Sequence, residues 1–153
     1  MGGALVKFVD SNVFIYYIFE SSYTERAKEL LTIHVDLAST LGVVDEVLHV
    51  IIRRKALENY GIKRLDDLRR HIRVHGLGFV EALLRAFLKL LDDLNIMVLQ
   101  DIADPWELLE TMLNYKLAPR DAIITLTCKH YGIQEIITFD EDFKRVPWLK
   151  VIS

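Results

Sequence analysis

The chain has 153 residues, of which 52 % are hydrophobic and 27 % charged, and its net charge is −3. That is one domain's worth of sequence with ample material for a core, which excludes a disordered or collagen-like chain. The single cysteine, Cys128, excludes an intrachain disulfide and a zinc site built from cysteines. In chain order, Ala4 to Val9 reads as a buried strand, a short apolar run with β-branched residues closed by Asp10, Ser11 and Asn12. Ser11 to Phe19 follows as a short helix. Tyr23 to His34 has Ala27, Leu30 and Leu31 at helical spacing, and Val35 to Ala38 reads as a second strand. Ser39 to Tyr60 is a long helix with Val43, Val44, Val47, Leu48, Ile51 and Ile52 on one face and Gly61 as its stop. Arg64 to His75 and Phe79 to Asp93 form two more helices, separated by Gly76 and Gly78.

Ile96 to Leu99 is a third strand. Asp104 then caps a helix opened by Pro105, and Pro119 opens another over Arg120 to Tyr131, ended by Gly132. Ile133 to Phe139 reads as a strand closed by Asp140, Glu141 and Asp142, and Leu149 to Ile152 as an edge strand. Short apolar strands alternating with helices predict an α/β fold of three α/β/α layers around a mostly parallel central sheet. One domain spans 1–153, with a helical insert at about 64–93. No stretch is long enough to cross a bilayer, and the N-terminus has neither a basic lead nor a small-residue cleavage site, so a cytoplasmic location with no membrane attachment is expected.

In parallel sheets ligands bind beyond the carboxyl ends of the strands. Asp10 follows the first strand and Asp140 a late one, Asp121 stands in the first turn of the helix leading into that late strand, and Glu46 lies inside the long apolar helix. Taken singly, each has an ordinary use: a helix cap for Asp10, a dipole partner for Asp121, a turn for Asp140, a wet helix edge for Glu46. Taken together they repel one another and raise each other's pKa, so a stable cluster implies bound cations. An all-oxygen donor set suits Mg²⁺ or Mn²⁺. Such a site activates water for attack on a phosphodiester. Asn12 would hold Asp10 or a water there, and Thr138 would hydrogen-bond one of the acids.

The segments "VDSNVFI" with Asp10, "VVDEVLHVIIRR" with Glu46, "LAPRDAIITLTCKHYGI" with Asp121 and "IITFDEDF" with Asp140 resemble the PIN domain, a family of small nucleases that includes the VapC-type toxins. The resemblance covers nearly the whole chain. It implies an endoribonuclease with an acidic Mg²⁺ or Mn²⁺ pocket formed by Asp10, Glu46, Asp121 and Asp140, with Asp142 assisting the last position and Asn12 and Thr138 supporting. It also implies a homodimer, RNA as substrate and, for a toxin, a small antitoxin protein as partner. The chain departs from the family where small alanines are frequent, having Thr125 and Thr127 there. The segment Arg53 to His75 carries eight Lys and Arg against three acids, and Arg53, Arg54, Lys55, Arg69 and Arg70 are its candidate RNA-phosphate contacts.

Two alternatives stay open: a housekeeping RNA-processing nuclease, and an RNA- or protein-binding module of the same fold without catalysis. A haloacid-dehalogenase-type phosphatase would need a second Asp where Asn12 stands. His71 and His75 lie four apart but have no third ligand nearby, and a polar helix face accounts for them. Cys128 reads as a small core residue. Phe14, Tyr16, Tyr17 and Phe19 read as core or dimer contact rather than a base-stacking platform.

Overall fold

The computed structural model describes residues 6–153. Within them the chain runs β1 (Lys7–Val9), α1 (Ser11–Ile18), α2 (Thr24–Ile33), β2 (Leu37–Thr40), α3 (Leu41–Tyr60), α4 (Leu65–His75) and α5 (Glu81–Asp93). It continues with β3 (Met97–Leu99), α6 (Pro105–Tyr115), α7 (Pro119–Tyr131), β4 (Glu135–Ile137), a 3₁₀ turn (Glu141–Arg145) and β5 (Lys150–Ile152). The strands form one sheet in the order β3-β2-β1-β4-β5. Every pairing is parallel, with Phe8 opposite Ala38 on one side of β1 and Ile136 on the other. Strands covered on both faces have no wet side on which to alternate. Accordingly Phe8, Val9, Ile136 and Ile137 are completely buried.

The strands are shorter than or shifted from the sequence reading, by one residue at the starts of β3 and β5, by two at the start of β4, and in three further places. The first strand's expected start, Ala4 and Leu5, lies outside the described residues, and β1 begins at Lys7. The second strand was expected at Val35 to Ala38, but β2 runs two residues later, through Ser39 and Thr40, which are completely buried. Their hydroxyls make this possible: Ser39 donates to the carbonyl of Val9 at 2.9 Å, and Thr40 accepts from the Val43 N–H at 3.3 Å as the cap of α3. A satisfied hydroxyl costs little to bury. The late strand, expected to reach Phe139, ends at Ile137; the Thr138 N–H still reaches the Ile152 carbonyl at 3.0 Å, and from Phe139 on the backbone N–H groups turn to side-chain partners described below.

α3 ends at Gly61, whose φ of 66° closes the helix in the left-handed region while its N–H reaches back to Leu57 at 2.9 Å. The helical pair at 65–93 is docked on the core, since Leu68, Phe87 and Leu91 are buried and Phe87 packs edge-to-face on Phe14 of α1 at 5.5 Å. His71 lies against Tyr60 and Phe79, with ring centroids at 4.5 and 5.3 Å, so its place is in an aromatic seam. Phe14 belongs to the core, Tyr16 stacks on Tyr23 at 4.8 Å, and Phe19 lies beneath the guanidinium of Arg54 at 4.7 Å. No helix among the described residues is long and apolar enough to cross a membrane.

Candidate active site

The sheet order places a topological switch beside β1: the chain steps outward through β2 and β3, then returns to β1's other side as β4. A crevice opens at such a point beyond the carboxyl ends of the strands. Asp10 leaves β1 and Asp140 follows β4, and the Asp10 N–H donates to the carbonyl of Ile137 at 3.0 Å, tying the two strand ends together.

Asp10 is only 4 % exposed, and its two oxygens are held separately. Oδ1 accepts from the Ser11 N–H at 2.7 Å, while Oδ2 accepts from the Thr138 hydroxyl at 2.8 Å. The same hydroxyl oxygen accepts from the Asp140 N–H at 3.0 Å and from Asn12 Nδ2 at 3.2 Å. Asn12 completes the link through Oδ1, which accepts from the Phe139 N–H at 3.1 Å. Thr138 thus couples the first acid to the backbone of the last. Burial pushes Asp10 up from the ordinary 3.8 to about 6; its bonds to Thr138 and Ser11 pull the other way, and Glu46 and Asp140 add repulsion.

Asp121 sits in the first turn of α7, opened by Pro119. One carboxylate oxygen from each of Asp121, Asp140 and Asp142 lies within 4.8 Å of the others, and all three residues are half-buried. Asp121 is pushed up to about 7, first by desolvation and then by Asp10, Asp140, Asp142 and Glu46. A helix N-terminus favours a carboxylate by about 0.3–1 kcal/mol. Desolvation and four neighbouring acids outweigh it. Glu46 is half-buried on α3 and reaches Asp10 and Asp121 through charge, with no hydrogen bond to either among the described contacts. The compact oxygen triangle therefore consists of Asp121, Asp140 and Asp142, flanked by Asp10 and Glu46. Arg145 is its resident counter-charge, donating to Asp142 Oδ1 and to the Lys116 carbonyl, both at 2.6 Å.

The donor set fits a hard divalent cation: clustered carboxylate oxygens, no sulfur and a carboxyl held above its ordinary pKa by desolvation and by neighbouring acids. Cys128 is buried in the core and its thiol is pushed up by desolvation, so it serves as packing.

The sequence reading missed a second constellation beside the acids. Asp101, after β3, accepts the Gly42 N–H of α3's first turn on Oδ2 at 2.8 Å, satisfying a donor that the helix itself cannot. Its Oδ1 is buried without a hydrogen-bond partner, and Arg120 Nη1 lies 3.7 Å away. A Cβ on Gly42 would come within 1.9 Å of that guanidinium nitrogen. Gly42 thus leaves room for Arg120 to lie against α3 one turn before Glu46, and it joins the helix bearing Glu46 to the helix bearing Asp121. The signal available in the sequence was a glycine just inside a helix start, where it costs about 1 kcal/mol relative to alanine. Thr127 is likewise explained: its hydroxyl accepts the Ile102 N–H at 3.0 Å, fixing the segment after Asp101.

The candidate phosphate contacts divide into two groups. Lys55 pairs with Glu58, Arg69 with Asp66 and Arg70 with Asp67, each three residues apart on its own helix. Arg53 and Arg54 line a groove instead.

Known proteins resemble this chain in sequence and in fold. The family description "PIN domain" matches residues 7–149. The chain is 33 % identical to Ribonuclease VapC2 of Methanocaldococcus jannaschii over 149 residues, covering 95 % of this chain and 92 % of that protein. It is 28 % identical to Ribonuclease VapC6 of the same organism over 151 residues, 95 % of each. Among solved structures, PAE2754 from Pyrobaculum aerophilum superposes with a TM-score of 0.56 at 13 % identity, over 97 % of this chain and 90 % of that one. A toxin-antitoxin complex from Klebsiella pneumoniae gives 0.52 at 18 % identity, over 96 % of both chains. VapBC2 from Rickettsia felis bound to a promoter DNA fragment gives 0.52 at 14 % identity, over 96 % of this chain and 97 % of that one. With a family match spanning almost its whole length and a relative one-third identical over 95 % of it, the chain belongs to the PIN domain family.

Proposed function

We propose that this protein is a divalent-metal-dependent endoribonuclease of the VapC kind, hydrolysing RNA phosphodiester bonds at Asp10, Glu46, Asp121, Asp140 and Asp142. The observation that carries the reading is the triangle of carboxylate oxygens from Asp121, Asp140 and Asp142 within 4.8 Å, with Asp121 pushed up to about 7. Like charges this close are stable together at neutral pH only when protonated or bridged by a cation. The names of the two archaeal relatives, both VapC ribonucleases, supply the substrate class.

Asp121, Asp140 and Asp142 would hold Mg²⁺ or Mn²⁺, which when bound supplies a Lewis acid for the phosphoryl oxygen and a source of activated water. Asp121, pushed up to about 7 by desolvation and the neighbouring acids, would have to give up its proton to serve as a ligand. Asp10, fixed by Ser11 and Thr138, presents its carboxylate in one orientation, and Asn12 holds the segment after β4 against it. Glu46 adds negative charge close to Asp10 and Asp121. Arg145 balances Asp142 in the metal-free protein. As a toxin, the protein would act in the cytoplasm as a homodimer restrained by a small antitoxin.

The test is incubation with labelled single-stranded and structured RNAs in Mn²⁺, in Mg²⁺ and in excess chelator, beside Asp121→Asn. Cleavage that requires metal and disappears in the variant is the expected result. Absence of cleavage in every condition, with no metal binding by calorimetry, would overturn the reading and leave a binding module.

A further inference from the structure

The groove that takes Arg53 and Arg54 occupies about 590 Å³ between the second half of α3 and the start of α4. Its rim carries four cations, Arg53 and Arg54 from α3 and Lys63 and Arg64 from the connection to α4. No ion pair involves any of the four among the described residues, in contrast to Lys55, Arg69 and Arg70, which carboxylates on their own helices engage. Its floor is aliphatic, with Leu68 buried beneath and Leu57 and Leu65 half exposed at 47 % and 51 %. Four cations without a carboxylate partner, Arg54 among them with its guanidinium over Phe19, form a strong anion site around one hollow in a chain whose net charge is −3.

The groove also has a defined relation to the acids. Residues 46, 50, 53 and 57 recur at helical spacing, so Glu46, Val50, Arg53 and Leu57 share one stripe of α3. Glu46 belongs to the acidic centre, and the other three line the groove. At 1.5 Å per residue, Arg53 stands about 10 Å along the helix axis from Glu46. A strand leaving the acids along this stripe passes directly onto the cations.

We infer that this groove is a substrate-strand track, in which Arg53, Arg54, Lys63 and Arg64 hold phosphates of single-stranded RNA flanking the cleaved bond while the aliphatic floor accepts sugar and base faces. This rests on the nuclease reading for the identity of the strand. It answers an electrostatic problem of that site, since five clustered acids repel a polyanion and something nearby must hold it. Phosphate contacts of this kind supply affinity and register without reading sequence. A protein occupant would also need the half-exposed Leu57 and Leu65, but the rim of cations without carboxylate partners and its continuity with the acids favour the nucleic acid.

The experiment compares full-length wild type with Arg53→Gln/Arg64→Gln, with the charge-retaining Arg53→Lys/Arg64→Lys, and with Arg85→Gln/Lys89→Gln on α5, whose cations pair with Glu81 and Asp93. Binding of a labelled single-stranded RNA is followed by anisotropy in chelator over a range of salt, and cleavage in Mn²⁺ is measured on the same proteins. All substituted side chains are exposed, and circular dichroism melts verify that each variant is folded. The expected result is a salt slope lower by about 1.4 in the first variant, from about 0.7 per lost phosphate contact on a single strand. Its KM for RNA rises with kcat retained, the lysine pair restores both quantities, and the α5 pair changes neither. A wild-type slope and KM in the first variant, with cleavage normal, would overturn the track while sparing the nuclease reading, and would make the groove a protein-docking face. Wild type that binds RNA through the groove yet cleaves nothing would sink the nuclease reading and leave the track standing.

Discussion

Removing the charge at residue 10 has a stability consequence that can be worked from the structure. Asp10 moves from the ordinary 3.8 to about 6 on folding, so between those values the folded protein holds a proton that the unfolded chain has released. Stability is therefore greater on the acid side and falls as pH rises through about 6. Between about pH 5 and about pH 8 the loss from this group alone is about 1.4 kcal/mol, by proton linkage with the two pKa values. Asp121, raised to about 7, adds to the loss in the same direction. His34 opposes it: its pKa is lowered, first by desolvation and then by Lys7, so its share of stability grows as pH rises through the ordinary 6.5. Asp10→Asn keeps an oxygen for the Ser11 N–H, sets an NH2 against the Thr138 hydroxyl at a cost that does not vary with pH, and removes the titration. Urea unfolding in chelator at both pH values, for wild type and variant, isolates the effect, because His34 is common to both. The expected difference between the two pH dependences is at least about 1.4 kcal/mol, since the variant also relieves Asp121. Adding Mn²⁺ at pH 8 to wild type should recover stability by mass action, about 2.7 kcal/mol at a hundredfold excess over Kd. Equal pH dependence in the two proteins would refute the account of Asp10 as a buried, proton-retaining carboxyl.

Thr138→Val leaves Asp10 Oδ2 with only the long 3.5 Å bond from Asn12 and the Asp140 N–H without its acceptor, and should cost about 1–3 kcal/mol in urea unfolding, with Thr138→Ser close to wild type. Gly42→Ala drives a methyl into the Arg120 guanidinium and the Asp101 carboxylate; about 1–3 kcal/mol of destabilisation is expected, largely relieved in Gly42→Ala/Arg120→Ala, and a double-mutant cycle that shows additivity would discard the contact. Phe87→Ala should cost about 3–5 kcal/mol and lower the thermal midpoint, because its ring is buried against Phe14, whereas a loosely attached 65–93 pair would tolerate it.

The layered parallel fold was legible because its strands are short apolar runs closed by polar clusters, and because helix starts at Asp104-Pro105 and stops at Gly61 and Gly132 carry local chemistry. The shift of β2 was illegible for the converse reason: Ser39 and Thr40 read as the first residues of the long helix, and only the Val9 carbonyl and the Val43 N–H, met after folding, make them strand residues. The acids could be ordered along the sequence from their places at strand ends and helix starts. Their grouping could not, because the compact triangle takes Asp142 in through the 3₁₀ turn and leaves Asp10 and Glu46 as flanking charges. Asp101 and Arg120 met on a single glycine from segments far apart, and nothing local to either announced it.

The link between Thr138 and Asp10 joins residues 128 positions apart, and this sets an order on biosynthesis. A nascent chain that has reached α6 contains Asp10 and Glu46 but none of Asp121, Asp140 and Asp142, and β1 still lacks its β4 neighbour. Emergence from the ribosome is vectorial, and closure of this long loop must await the strand that bears its far end. The acidic centre is thus among the last parts of the molecule to mature, and a product interrupted before β4 has a sheet edge where its pocket should be.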